Sequence, residues 1–244
     1  MITPKQIADI TMTPKKRKDS KNNYFAFYIG RPLSYILTIP FLYTNIAPNT
    51  VSVLSVIPSV VGFLLMGLGE NVDTLLLGWV CFFLWNLLDG VDGNIARYKK
   101  LSSPIGSVYD AMGGYAATVL SFFAWGWAAS HKNGIIADII FIPPEFYIVI
   151  GALSGIFTLF PRLIMHRAIT SLKNEKALSG LMDKSEYGIV KTIALNITST
   201  SGFLQVFMLV SIIFNAMDLF TLSYCAINFL IMAVALKNIL TMKV

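Results

Sequence analysis

The chain has 244 residues, 55% of them hydrophobic and only 13% charged, with a mean hydropathy of +0.67. That balance excludes an ordinary soluble domain and points to a polytopic membrane protein, whose length accommodates about six spans and little more. The formal net charge of +6 is not read as a nucleic-acid footprint, because the basic residues gather at the ends of apolar stretches.

Residues 1–21 are polar and rich in Lys, Thr and Pro, and read as a loose tail with at most a short helix. They contain no short apolar stretch followed by a small-residue cleavage site, so no cleaved leader is expected. Residues 22–46 mix aromatic and apolar side chains with Gly30, Arg31 and Pro32. This segment is expected to lie along the membrane surface as an amphipathic helix with its tyrosines at headgroup level. Pro48 holds Ala47 extended, and Asn49 or Thr50 is expected to cap the first span, Thr50 to Leu68. After a polar turn at Glu70–Asp73, the second span covers Thr74 to Lys99. The third runs from Ile105 to Ser130 and offers a smooth face at Gly106, Gly113, Gly114, Ala116 and Ala117. A longer connection precedes the fourth span, Tyr147 to Ile169, which is expected to be interrupted near Pro161. The fifth covers Tyr187 to Phe214 and the sixth Leu219 to Leu240. Cys81 and Cys225 fall inside apolar runs and read as small core residues.

The fold class expected is therefore all-α: a polytopic integral membrane protein with six transmembrane helices and an N-terminal interfacial amphipathic helix. Residues 1–21 are the tail, 22–46 the interfacial helix and 47–244 the six-helix transmembrane domain. With these spans, eighteen of the nineteen Lys and Arg residues fall on one side and Lys132 alone on the other. This asymmetry places both termini in the cytoplasm, and with them the second-to-third turn. The expected location is the cell inner membrane. Anionic lipid headgroups suit the basic cluster of Lys15, Lys16, Arg17, Lys18 and Lys21.

The chemistry concentrates between Asp89 and Asp110. Asp89 and Asp92 sit three residues apart at the end of a strongly apolar run, which places them on neighbouring positions of one helical face. An ionised carboxylate there is costly without compensation. Gly93 and Ala96 leave room beside them, Arg97 follows, and Asp110 opens the next apolar stretch with Gly106 one turn before it. Two readings are open for the pair: helix buttressing beside a water-filled vestibule, or cation binding. If the short connection brings Asp110 to the pair, the three carboxylates repel one another unless a cation holds them. Oxygen donors suit Mg²⁺, Mn²⁺ or Ca²⁺.

Asp89-x-x-Asp92-Gly93-x-x-Ala96-Arg97, eight residues, then Gly106-x-x-x-Asp110 resembles the signature of the CDP-alcohol phosphotransferases, integral membrane enzymes. The resemblance implies divalent-metal-dependent transfer of a substituted phosphate from a CDP-linked donor, such as CDP-diacylglycerol, to an alcohol acceptor with release of CMP. It implies Mg²⁺ or Mn²⁺ on Asp89, Asp92 and Asp110, and cytidine nucleotide near Pro48, Asn49, Ser52, Asp89, Gly93, Ala96, Arg97 and Gly106. It also implies membrane-lipid substrates and a homodimer; the placement of the basic residues adds the expectation of no nucleic-acid partner. The family pattern continues to a fourth Asp, the proposed base for the acceptor hydroxyl and a ligand to a second metal. This chain has Gly114 there. Asp110 and His166 are the candidate replacements for that base, beside Glu186 or a metal-bound water. Arg162, four residues before His166, and Arg167 are candidates for an acceptor phosphate, because a guanidinium grips phosphate in bidentate fashion. Lys191, in a stretch resembling the family's acceptor side, is a third. Membrane anchoring accounts for the two arginines equally well. A catalytically impaired relative that binds nucleotide or lipid, and a cation-coupled transporter, are the alternative readings.

Overall fold

The computed structural model describes residues 2–132, 134–171 and 188–241. No strand occurs among the described residues. Ten α-helices are used below: α1 Pro4–Thr11, α2 Pro14–Lys21, α3 Arg31–Leu42, α4 Pro48–Leu68, α5 Val72–Tyr98, α6 Pro104–His131, α7 Pro144–Ser171, α8 Ile189–Thr198, α9 Leu204–Ile213 and α10 Met217–Leu240. A π-helical turn, Ala26–Gly30, leads into α3. Four of them (α4, α5, α7 and α10) are long and apolar enough to cross a membrane, with mean hydropathies of 1.6 to 2.3. The protein is an integral membrane protein with several spanning helices.

Several boundaries differ from the sequence reading. The expected loose tail is two capped helices. In α1 the Thr3 hydroxyl accepts from Gln6 N at 3.3 Å while the Gln6 side chain accepts from Thr3 N at 3.0 Å, a reciprocal capping box with Pro4 in the first turn. Thr13 and Pro14 repeat the cap at α2. Pro48 opens α4 itself, so neither Asn49 nor Thr50 is the cap. Proline suits that position because the first amides of a helix have no intrahelical partner. α7 runs through Pro161 without interruption; the proline removes one amide donor, and the flanking turns carry the helix across. The expected fifth span is two ten-residue helices, α8 and α9. Each reaches only about 15 Å, half a bilayer core. The break falls in the run Ser199-Thr200-Ser201-Gly202, where Ser199 is extended and the Asn196 carbonyl accepts from Phe203 N at 3.1 Å.

The chain divides into two compact units. One comprises Met1–Gly62, Trp79–Ala117 and Ser185–Val206; the other comprises Phe63–Gly78, Thr118–Lys184 and Phe207–Val244. The first is built around Val51 of α4 and Val91 and Ile95 of α5, covered by Leu37, Phe41, Leu42, Ile46 and Leu88. α1 packs on α3 through a fully buried Ile7. Asn94 of α5 donates to Ser34 Oγ at 3.3 Å and Thr38 Oγ1 at 3.1 Å on α3. In a nearly dry contact, such paired polar side chains fix register between helices.

In the second unit, α6 and α7 touch backbone to backbone. A Cβ built on Gly126 falls 2.8 Å from Gly151 Cα, and one on Gly151 falls 2.8 Å from Gly126 Cα. Small residues allow such approach where lipid offers no competing hydrophobic gain. α7 pairs along α10, where Asn228 donates to Ser154 Oγ at 2.9 Å. Asp218, at the start of α10, accepts from Ile136 N at 2.7 Å and Ala137 N at 3.1 Å, closing the α6–α7 connection.

Candidate active site

The last turns of α5 and the first turns of α6 belong to the first unit, and both reach a cavity of about 220 Å³. Asp89, Gly90, Gly93 and Arg97 of α5 line it together with Asp110 of α6. Asn86 and Asn94 add polar wall on the α5 side. Lys16, the π-helical turn, Arg31 and Ser34 close it from the N-terminal segment, and Ser201 contributes from the α8–α9 break. Gly90 is required by close approach, since a Cβ there would fall 2.9 Å from Ser34 Cβ.

The structure therefore brings Asp89 and Asp110 to one cavity but seats Asp92 differently. Asp92 is 4% exposed and accepts a short hydrogen bond from Ser52 Oγ of α4. It remains within electrostatic range of Asp110 and Arg97. Ser52 Oγ also lies 3.3 Å from Pro48 O. The Pro48–Ser52 turn thus holds the second aspartate directly. Asn49 sits beside Gly106, whose added Cβ would lie 3.3 Å from Asn49 Oδ1. Pro48, Asn49, Ser52, Asp92 and Gly106 are in this way neighbours.

Space over Gly93 is occupied from within the chain. A Cβ on Gly93 would lie 2.7 Å from an Arg97 Nη, so the glycine admits the guanidinium of its own helix. Arg97 donates to Asn94 Oδ1 at 3.4 Å, and its buried Nε has no partner among the described residues. Ala96 is half-buried and its carbonyl accepts from Leu101 N at 2.7 Å, ending α5. Gly114 faces open space: a Cβ built there meets nothing within 4 Å.

Arg162, His166 and Arg167 lie on the C-terminal half of α7, in the second unit. Arg162 is half-buried, and His166 and Arg167 are exposed. Lys191 is exposed in the first turn of α8. Glu186 lies outside the described residues.

Two basic residues of this cavity, Lys16 and Arg31, were read from sequence as tail and interfacial charges. Burial, with Arg97 and Arg31 nearby, brings the Lys16 ammonium down from 10.5 to about 7, against the upward pull of Asp110. Arg31 donates to Ser20 Oγ at 2.8 Å. The signal available was Arg31 itself, a lone cation inside an apolar run. Within the Lys-Lys-Arg-Lys run no spacing distinguishes Lys16 from its neighbours.

Carboxylate oxygens are the right donors for a hard divalent cation. Asp89 and Asp110 fit it by lining one cavity. Among the described residues, however, no three His, Cys, Asp or Glu side chains are grouped to hold a metal, and Asp92 is engaged with Ser52. Residues 45–239 match the family model described as CDP-alcohol phosphatidyltransferase. Compared with curated proteins, the chain has no match.

Proposed function

Because the chain belongs to the CDP-alcohol phosphatidyltransferase family, we propose that it transfers a substituted phosphate from a CDP-linked donor, preferentially CDP-diacylglycerol, to an alcohol acceptor. CMP is released, and the product enters phospholipid or related membrane-lipid synthesis. The observation that carries this reading is the shared cavity of Asp89, Arg97 and Asp110, two motif halves on two helices.

In this reading Asp89 and Asp110 would hold Mg²⁺ or Mn²⁺, with Asp92, bonded to Ser52, as the third carboxylate of the set. The ion, when bound, supplies charge neutralisation at the diphosphate being cleaved. Ser52 keeps Asp92 oriented. Arg97, laid over Gly93, offers guanidinium donors to the nucleotide phosphates. Pro48, Asn49, Ser52, Ala96 and Gly106 frame the nucleotide. Arg162, Arg167 and Lys191 are acceptor-side candidates, with the acceptor hydroxyl losing its proton to Asp110 or His166. Six membrane crossings, an interfacial α3, a cytoplasmic site in the cell inner membrane and a homodimer complete the proposal.

Gly114 favours one second reading. A family motif whose fourth carboxylate is missing lacks its usual base, and losing a general base costs a factor of about 100–10,000. The protein is then an impaired relative that binds nucleotide or lipid without turnover. The experiment that separates the two incubates purified protein with CDP-diacylglycerol, Mn²⁺ and a panel of alcohols, and follows CMP and lipid product. Binding without CMP favours the second reading. Absence of both binding and release sinks the first.

A further inference from the structure

Resting on the phosphotransfer reading, we propose that Lys16 and Arg31, from the segment ahead of the family match, join Arg97 as a subsite for a phosphate group of the ligand. Three separate elements deliver these cations to one cavity: α2, the start of α3, and the end of α5. Three cations line it against the two carboxylates of Asp89 and Asp110. The cations outnumber the carboxylates, so the cavity favours an anion even with no divalent ion bound.

The hydrogen bonds of the arginines leave capacity for one. Arg31 donates to uncharged atoms, Ser20 Oγ at 2.8 Å and Met12 Sδ at 3.9 Å. The Nε atoms of Arg31 and Arg97 are both buried without a partner among the described residues. A buried donor left unpaired is costly, and a phosphate oxygen is a strong acceptor for it. The crowding is also felt by Lys16, whose ammonium is brought down to about 7 by burial and by the two arginines. An anion placed among the three relieves that repulsion.

The N-terminal segment is built to stay in position. Ile7 is fully buried, Ile2 N donates to the Tyr43 hydroxyl at 3.0 Å, and Arg31 ties α2 through Ser20. Asn196 fixes the connection between α2 and the π-helical turn, accepting from Tyr24 N at 2.9 Å and donating to Asn22 O at 2.6 Å. Lys16 is thus a wall of the site rather than a wandering tail charge.

The phosphate can belong to the nucleotide donor or to a phosphorylated alcohol, and titration distinguishes them. Full-length protein in detergent, with EDTA present, is titrated calorimetrically with inorganic pyrophosphate, CMP, glycerol 3-phosphate, cytidine and glycerol. Lys16→Gln and Arg31→Gln are expected to weaken pyrophosphate about tenfold, equivalent to about 1.4 kcal/mol, and Lys16→Arg to stay within about threefold of wild type. A parallel loss confined to CMP assigns the donor phosphate; one confined to glycerol 3-phosphate assigns the acceptor phosphate. Cytidine and glycerol are unaffected in either case. A second measurement needs no variant: a lysine-directed reagent, read by mass spectrometry, modifies Lys16 of the wild type more slowly when pyrophosphate is present. The proposal is overturned if wild type binds none of the phosphorylated probes, if both Gln variants bind them unchanged, or if pyrophosphate leaves Lys16 labelling unaltered. Lys16-dependent pyrophosphate binding without CMP release from CDP-diacylglycerol would keep the subsite and discard the transferase.

Discussion

Replacing Ser52 by Ala tests how the buried aspartate is held. Asp92 and Ser52 are each 4% exposed, and the serine hydroxyl donates directly to Asp92 Oδ2. A hydrogen bond to a charged group contributes about 1.5–3 kcal/mol. Alanine returns up to about 0.5 kcal/mol through its helix propensity. The expected net loss is therefore about 1–2.5 kcal/mol, or roughly 2–10 °C in Tm for a chain of this size. Ser55→Ala is the control, because Ser55 is similarly buried and bonds within its own helix, to Ser52 O at 2.7 Å. It should change stability by less than about 1 kcal/mol. The assay is thermal unfolding of purified protein in detergent, repeated in an Asp92→Asn background. There the Ser52→Ala penalty should shrink to about 0–1 kcal/mol, since a bond to a neutral acceptor contributes about 0.5–1.5 kcal/mol before the same helix-propensity return. An equal penalty in both backgrounds would show that Asp92 is not held as a charged acceptor by Ser52.

Four further outcomes follow from the same geometry. Gly114→Asp has room for its side chain, and under the impaired-enzyme reading it should raise the CMP-release rate by about 100-fold or more; an unchanged rate in a folded protein means the base lies elsewhere. Gly114→Ala should raise Tm modestly, because alanine is favoured over glycine in a helix by about 1 kcal/mol, and a lower Tm would contradict the open space found there. Asp110→Asn should weaken Mn²⁺ binding, measured by calorimetry, at least tenfold (about 1.4 kcal/mol), and unaltered affinity would remove Asp110 from the metal set. Gly151→Ala should destabilise the α6–α7 contact by about 1–3 kcal/mol, as overpacking does, because the new carbon would meet Gly126 Cα at 2.8 Å; a Tm equal to wild type would count against that packing.

Long apolar runs with polar turns made α4, α5, α7 and α10 legible, since length and hydropathy alone define such helices. The broken fifth span was not, because Ser, Thr and Gly are tolerated in buried helices and only the Asn196 and Ser199 contacts reveal the break. Of the two N-terminal helices at most one short one was expected, although Thr3-Pro4 and Thr13-Pro14 are both cap-then-proline signals; the high charge of the segment outweighed them. At the site, the sequence reading brought Asp89, Asp92 and Asp110 together with Arg97 at the end of the run, and the cavity is lined by Asp89, Arg97 and Asp110. That reading did not anticipate that Asp92 turns to Ser52. Residues three apart on a helix are offset by about 60° around its axis, enough for Asp92 to face α4 while Asp89 faces the cavity. Gly93 was expected to make space for a nucleotide; it lines the cavity, with the guanidinium of Arg97 lying beside it. Lys16 and Arg31 come from a region where no motif spacing applies.

The central claim is that the Asp89–Asp110 cavity takes a CDP-linked donor with a divalent ion. The most direct measurement is Mn²⁺-dependent binding of CDP-diacylglycerol to the full chain in lipid nanodiscs, compared between wild type and the Asp89→Asn, Asp110→Asn double variant. Saturable binding that requires Mn²⁺ and disappears in the double variant is the predicted result. Binding that survives in the double variant, or none in the wild type at any Mn²⁺ concentration, would contradict it.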